Sequence, residues 1–493
     1  MILYKSTRGG GALKDSAETI IDGIAKDNGL YVPERIPKLP FDINEMKDKP
    51  YSYFAYEIIK SFFTDFSDGD IKKCVDAAYE GKFESRDVAP VIKAGRAFFI
   101  ELFHGRTAAF KDMALSILPY LLTTAMQMKK EDKKICILTA TSGDTGKAAL
   151  AGFADVPGTE VMVFFPENGV SEVQKRQMVT QEGANTHVFA IRGNFDDAQT
   201  GVKKIFGDAA LAERLMDAGY KLSSANSINI GRLIPQVAYY VYGYAKLARM
   251  GAVRNGEKIN FVVPTGNFGN ILAAYYAKEM GVPVNKLICA SNENKVLTDF
   301  INTGRYDINR EFYLTNSPSM DILISSNLER LLYHLSGENA AEIKSLMESL
   351  DKNKSYEVSG AIKKGLGAFY GGFSDMRQTL DALGRVYKND GYLMDTHTAV
   401  AAKVYEDYKN ETKDESPALI AATASAYKFA ESVAPAIGLP VEKDGFSYIK
   451  SLCKATGVKV PGALSGLEDK EIRHKGVLDI DEMKGAVEKS LAN

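Results

Sequence analysis

The sequence predicts an α/β protein built on parallel sheets, and two observations carry that expectation. From about residue 96 onward, short apolar runs alternate with helical stretches. The turns after several of those runs are rich in Gly, Ser, Thr and Asn, as binding loops at strand C-termini are.

In chain order, residues 1–95 read as mostly helical and loop-rich, with Pro33, Pro37 and Pro40 marking a connecting segment. A strand-like run, 97–103, leads through His104-Gly105-Arg106-Thr107-Ala108-Ala109-Phe110-Lys111-Asp112 into a long apolar helix over about 113–128. Pro119 predicts a kink or break in that helix. Residues 135–138 form a continuous apolar run, the mark of a buried strand. The turn 141–146 and a helical stretch, 147–150, follow it. Further strands are expected at 161–165, 187–191, 260–263, 287–290 and 418–422. Gly281 caps a helix over 271–280. Residues 304–370 read as mainly helical, with Ser317-Pro318-Ser319-Met320-Asp321 a turn leading into a helix. Beyond about residue 440 the tail reads only as helical.

Bulk properties narrow the class. At about 150 residues per domain, 493 residues predict two to four domains. Apolar residues make up 45% and charged residues 25%, an ordinary globular composition. Lys plus Arg total 61 and Asp plus Glu 63, a formal charge of -2 that gives no support to a nucleic-acid surface. Cys74, Cys136, Cys289 and Cys453 are scattered, which argues against a disulfide framework or a metal site and fits a reducing compartment. The first residues contain no apolar signal segment. The most membrane-like uncharged stretch, 114–126, is well short of the ~20 residues a span needs. A soluble cytoplasmic protein is expected, with no membrane or nucleic-acid partner.

Five constellations carry chemistry. Lys111 sits where a loop becomes a helix, with apolar neighbours on both sides. An apolar pocket disfavours the ammonium form and makes the amine nucleophilic, as Schiff-base chemistry requires. A solvated lysine near a helix start would read the same way. Gly266-Asn267-Phe268-Gly269-Asn270 lies between a strand and a helix, where backbone N–H groups and the helix dipole suit a phosphate. Ser142-Gly143-Asp144-Thr145-Gly146-Lys147 fails as a nucleotide loop, because Thr141 and Ala148 stand where Gly and Ser or Thr are needed. Its donors still suit a carboxylate. Asn226, Ser227, Asn229 and Arg232 gather amide, hydroxyl and guanidinium donors in a short span, which also suits a capped helix start. Thr423 follows a strand and offers a hydroxyl to a heterocycle nitrogen or to a helix cap. His104 and His397 are isolated and read as satisfied polar core or loop residues rather than metal ligands or bases.

Together these segments resemble one family. HGRTAAFKD is similar to the pyridoxal-phosphate lysine motif of the threonine synthases, TSGDTGKAA to their substrate loop, and PTGNFGN to their phosphate loop. SINIGR, SPSMDILISSNLERLL, TASAYKF and the early GLYVP also resemble family segments, so the likeness runs over about 15–440. Arg106 stands where the motif usually has Pro, and so does Thr396 in Asp395-Thr396-His397-Thr398.

The resemblance implies pyridoxal-phosphate fold type II, with two parallel-sheet-containing domains and a mostly helical N-terminal region. Residues 1–95 would form that region, 96–132 with 233–493 the larger cofactor-binding domain, and 133–232 the smaller substrate-binding domain. It implies that Lys111 carries pyridoxal 5'-phosphate as a Schiff base, that Gly266 to Asn270 cradle its phosphate, and that Thr423 faces its pyridine nitrogen. Ser142, Gly143, Asp144 and Thr145 would hold the substrate carboxylate. Asn226, Ser227, Asn229 and Arg232, with Lys147, would hold the substrate phosphate. The activity implied is conversion of O-phospho-L-homoserine and water to L-threonine and phosphate, by a monomer or homodimer. A serine/threonine dehydratase or cysteine-synthase-like enzyme of the same fold is the alternative. SPSMDILISSNLERLL and the extended N-terminal region argue against it.

Overall fold

Two parallel sheets organise the molecule. The computed structural model describes residues 1–491, Asp196 by its backbone only. The larger sheet has six strands in the order Phe369–Phe373, Val284–Ser291, Ile259–Pro264, Ala418–Ala422, Ala97–Glu101 and Val91–Ala94. Its neighbours pair parallel except the last two, which form an antiparallel edge. The smaller sheet orders Gly476–Leu478, Thr186–Ile191, Thr159–Pro166, Lys134–Ala140 and Tyr220–Ser223, all parallel. Parallel pairing requires crossovers, and helices supply them on both faces.

The strands expected from apolar runs are present, one to four residues longer than the runs, except Ala418–Ala422, which is the same length, and Ala97–Glu101, which stops two residues short of the run 97–103. Their centres are buried, which is why the runs were continuous rather than alternating. The helix expected over 113–128 is two helices, Asp112–Leu115 and Leu118–Lys129. Pro119 falls in the first turn of the second, where its missing N–H has no intrahelical partner to lose.

Ile230–Arg249 is buried along nearly its whole length. A helix apolar on all sides belongs in a core, and one face of this one lies on the larger sheet. A Cβ at Gly243 would come within 2.5 Å of Leu419 Cδ2, so only glycine permits that approach. Helix Tyr51–Phe62 of the N-terminal region packs against it, with Tyr51 and Phe54 edge-on to Tyr242.

Three parts of the sequence reading need correction. The segment 304–370 is mixed. Helices Leu328–Leu335, Ala340–Asn353 and Gly360–Leu366 alternate with an antiparallel pair, Arg305–Asp307 and Ser355–Glu357. Strand Phe369–Phe373 was hidden by its glycines. Gly371 sits against the backbone of Thr298 and Gly372 against Val404, so close packing leaves no room for the β-branched residues that mark a strand. The C-terminal tail does not stay with the larger sheet. Gly476–Leu478 extends the smaller one, and helix Met483–Leu491 packs on it through Met483 and Val487. Three residues of strand are too few to show a period.

Candidate active site

The C-terminal ends of both sheets open onto one cavity of about 850 Å³. Lys111 stands in it, immediately before helix Asp112–Leu115. The loop around Lys111 is stitched to the end of strand Ala418–Ala422. Phe110 N donates to Thr423 O at 2.7 Å and Ser425 N to Ala108 O at 3.0 Å. Asp112 closes the loop from within, accepting from Thr107 N at 2.8 Å and Thr107 Oγ1 at 2.7 Å. Thr423 thereby comes to line the cavity with Lys111.

Burial pulls the Lys111 ammonium down to about 8; Asp144, 3.8 Å from Nζ, opposes this, and Arg232 and Lys428 assist it. The lysine is thus buried rather than solvated, and its amine loses its proton far more readily than that of a lysine in water. Nζ also donates to Ser319 Oγ at 3.4 Å.

Asp144 has a different position from the one expected. It reaches the cavity, but its carboxylate accepts from Lys428 Nζ at 2.7 Å and Gln174 Nε2 at 2.9 Å. Burial alone would raise its carboxyl; Lys428 and Lys111 outweigh that and hold it well below the usual carboxylate range. An anion so placed repels a substrate carboxylate, which leaves the hydroxyls of Ser142 and Thr145 at the cavity, beside Thr141, whose Oγ1 accepts from Gly143 N and Gly146 N. Gly143 is outside the lining and turned by its φ of 135° against Gln174. Lys147 is also outside it, bonded to Gln181 Oε1.

The segment expected to hold a second anion is divided as well. Asn226, Ser227 and Arg232 line the cavity. Asn229 does not: it caps helix Ile230–Arg249 by accepting from Gly231 N at 2.8 Å and donates to Ile20 O at 3.0 Å. Arg232 bonds to Ala225 O at 2.8 Å, and no carboxylate lies within ion-pair distance among the described residues. Burial lowers its guanidinium to about 10.

Gly266, Asn267, Phe268, Gly269 and Asn270 all face the cavity, at the start of helix Gly269–Met280. Phe268 adopts a left-handed φ of 62°. A Cβ at Gly266 would meet Ser319 O at 2.7 Å. Asn270 Oδ1 accepts from Tyr239 and Tyr240 hydroxyls at 2.5 and 2.6 Å, while its buried Nδ2 has no partner among the described residues. A buried donor left unpaired is costly, and a ligand acceptor would satisfy it.

Three site residues escaped the sequence reading as site residues. Ser319 lay in the turn already noted, but its contact with Lys111 spans 208 positions. His397 lines the cavity: Nδ1 donates to Asp395 Oδ1 at 2.8 Å and Nε2 accepts Ser319 N–H at 3.1 Å. Lys428, fully buried, also donates to Thr107 O at 2.9 Å. Local pattern gives no sign of such contacts. His104, bonded to Glu101, is away from the cavity.

Comparison with known proteins agrees with this geometry. A family model described as pyridoxal-phosphate dependent enzyme matches residues 90–424, which defines the class. Models described as threonine synthase N terminus and threonine synthase, C-terminal match residues 3–79 and 398–487. Human threonine synthase-like 1 is 38% identical over 85% of this chain, which spans 58% of that protein's length. Threonine synthase of Schizosaccharomyces pombe is 35% identical, over 92% of this chain and 95% of that one. The crystal structure of PLP-bound threonine synthase from Brucella melitensis superposes with a TM-score of 0.88 at 33% identity, covering 100% and 99% of the two chains. The chain belongs to the threonine synthase family.

Proposed function

We propose that this chain is a threonine synthase that converts O-phospho-L-homoserine and water to L-threonine and phosphate, with pyridoxal phosphate held on Lys111. One observation carries the reading: a buried lysine lowered to about 8 faces a cavity with two separate donor-rich loops, one of them holding the buried Arg232. A phosphorylated cofactor and a phosphorylated substrate need two such places.

The residues present fit the cofactor. The 266–270 loop lines the cavity at the start of helix Gly269–Met280, where backbone N–H groups suit a phosphate, and Asn270 Nδ2 is a buried donor with no acceptor among the described residues. Thr423 would meet the pyridine nitrogen. When bound, pyridoxal phosphate supplies an electron sink for negative charge at the substrate Cα. The chain supplies the rest. Ser142 and Thr145 hold the substrate carboxylate. Asn226, Ser227 and Arg232 hold its phosphate and stabilise that charge as it leaves Cγ. The Lys111 amine takes the proton from Cα, and serves as proton carrier at Cβ and Cγ before water adds at Cβ.

In this reading the N-terminal region ends near residue 90 rather than 95, because Val91–Ala94 is the edge strand of the larger sheet, and 91–132 with 233–475 form the larger domain. Residues 133–232, joined by the tail from Gly476, form the smaller one. No described helix is long and apolar enough to cross a membrane. We place the enzyme in the cytoplasm, as a monomer or homodimer.

The test is product analysis. Pyridoxal-phosphate-loaded protein incubated with O-phospho-L-homoserine should release phosphate and threonine in equal amounts, and Lys111→Ala should release neither. Phosphate with 2-oxobutyrate in place of threonine would move the function to elimination. Neither product from a loaded protein would overturn the substrate.

A further inference from the structure

The family-like segment SSNLER, residues 325–330, has no part in the chemistry above. Its side chains nevertheless reach both donor-rich loops from behind. Ser325 Oγ donates to Gly266 O at 2.7 Å. Asn327 takes the next carbonyl, Asn267 O, twice, through its backbone N at 3.1 Å and Nδ2 at 3.0 Å. Arg330 takes the other loop: its guanidinium donates to Ser227 O at 3.4 Å and Ile228 O at 2.5 Å. It also donates to Tyr31 O at 2.9 Å, and to Asn327 Oδ1 at 2.5 Å. Asn327 is therefore bonded to the 266–270 loop on one side and, through Arg330, to the 226–232 loop on the other. The two loops abut, since a Cβ at Gly269 would lie 3.3 Å from Ser227 Cβ and 3.4 Å from Asn327 Nδ2.

Peptide planarity gives this bracket a directional effect. In a trans peptide the N–H of one residue points opposite the carbonyl of the residue before it. Drawing back the carbonyls of Gly266 and Asn267 turns the N–H groups of Asn267 and Phe268 the other way. Drawing back that of Ser227 does the same for Ile228, while the N–H of Asn229 is held by Asn226 O at 3.1 Å. Carbonyls that would repel an anion are tied off, and donors are freed in their place.

Arg330 adds charge to this geometry. It is fully buried, and its four bonds run to three carbonyls and one amide oxygen. Neighbouring Glu329 is itself bound by Arg8 and Thr7. A buried guanidinium so bonded is costly unless anions compensate it nearby.

We infer that Ser325, Asn327 and Arg330 are positioning residues that preform both anion sites, and that Arg330 couples the cofactor-phosphate site to the substrate-phosphate site. The identity of the second anion rests on the function proposed above; the bracket itself does not.

The experiment uses full-length protein and two probes. Pyridoxal phosphate is titrated into cofactor-free protein and followed by absorbance, and inorganic phosphate is titrated into loaded protein by calorimetry. Asn327→Ala should weaken pyridoxal phosphate at least tenfold and phosphate far less. Arg330→Lys should weaken both by about tenfold, and Arg330→Met further still, so that lysine partly rescues. Arg330→Lys should also raise KM for O-phospho-L-homoserine more than it lowers kcat. Ser325→Ala, the mildest change, keeps the test decisive where an Arg330 variant fails to fold. It should weaken pyridoxal phosphate alone. Variants that melt like wild type and keep both affinities within twofold would overturn the inference, as would equal losses of both ligands in Asn327→Ala. Both titrations stand without turnover, so a wild-type protein inactive on O-phospho-L-homoserine would sink the proposed function and leave this question answered separately.

Discussion

Two buried ionic groups, Lys111 and Asp144, stand out at the scale of single residues. Lys111 is lowered to about 8 by burial against the opposing pull of Asp144. Its neutral form therefore dominates above that pH, more than two units sooner than for a lysine in water at about 10.4. Amine-reactive labelling of cofactor-free protein should reach half its maximal rate at Lys111 near pH 8, read by peptide mass spectrometry across a pH series. A midpoint above pH 10 would contradict the burial. Asp144 is held below the carboxylate range, burial opposing and Lys428 and Lys111 prevailing. Its stabilisation is fully present above the unfolded-state value of about 4 and is lost as pH falls through the folded one. Asp144→Asn should leave Lys428 buried without its anionic partner and cost about 3–5 kcal/mol in denaturant unfolding near neutral pH. It should also flatten the acid limb of the stability profile. An unchanged midpoint would show that the pair contributes nothing.

Loops between strands and helices carry the site at the next scale. The 266–270 loop passes beneath the turn at Ser319, with room for hydrogen but not for a methyl group at Gly266. Gly266→Ala should weaken pyridoxal phosphate by more than tenfold, measured by absorbance titration, with about 1–3 kcal/mol of destabilisation from overpacking. Wild-type affinity would mean that the turn yields. This scale also shows what was legible in the sequence. Strands such as Lys134–Ala140 and Ala418–Ala422 announce themselves because both faces are buried, and the loops after them by their composition. The motifs singled out Lys111, the 266–270 loop and Thr423, and all of them line the cavity. Their side-chain directions were not legible. Asn229 and Arg232 are three residues apart at one helix start, yet one caps the helix and the other faces the cavity. Ser319, His397 and Lys428 join the site only through contacts between segments far apart in the chain.

At the scale of the whole molecule, one cavity lies between two sheets built from interleaved stretches of chain. The tail completes the smaller sheet by pairing Gly476–Leu478 with Thr186–Ile191, and Met483, Val487 and Leu491 fill a core that includes Ile191, Ala198 and Leu211. Each such side chain is worth about 1.5–3 kcal/mol when fully buried. Removing residues 476–493 should therefore lower the unfolding temperature and separate an early transition of the smaller sheet in calorimetry. A single transition at the wild-type temperature would show that the tail is dispensable. In the proposed function the molecule is organised around Lys111 as the residue that carries pyridoxal phosphate. The most direct test of that role is to load the protein with pyridoxal phosphate, reduce it with borohydride and map the modified peptide by mass spectrometry. One pyridoxyl group per chain is expected, on Lys111. A group on Lys428, on Lys147 or spread over surface lysines would contradict it.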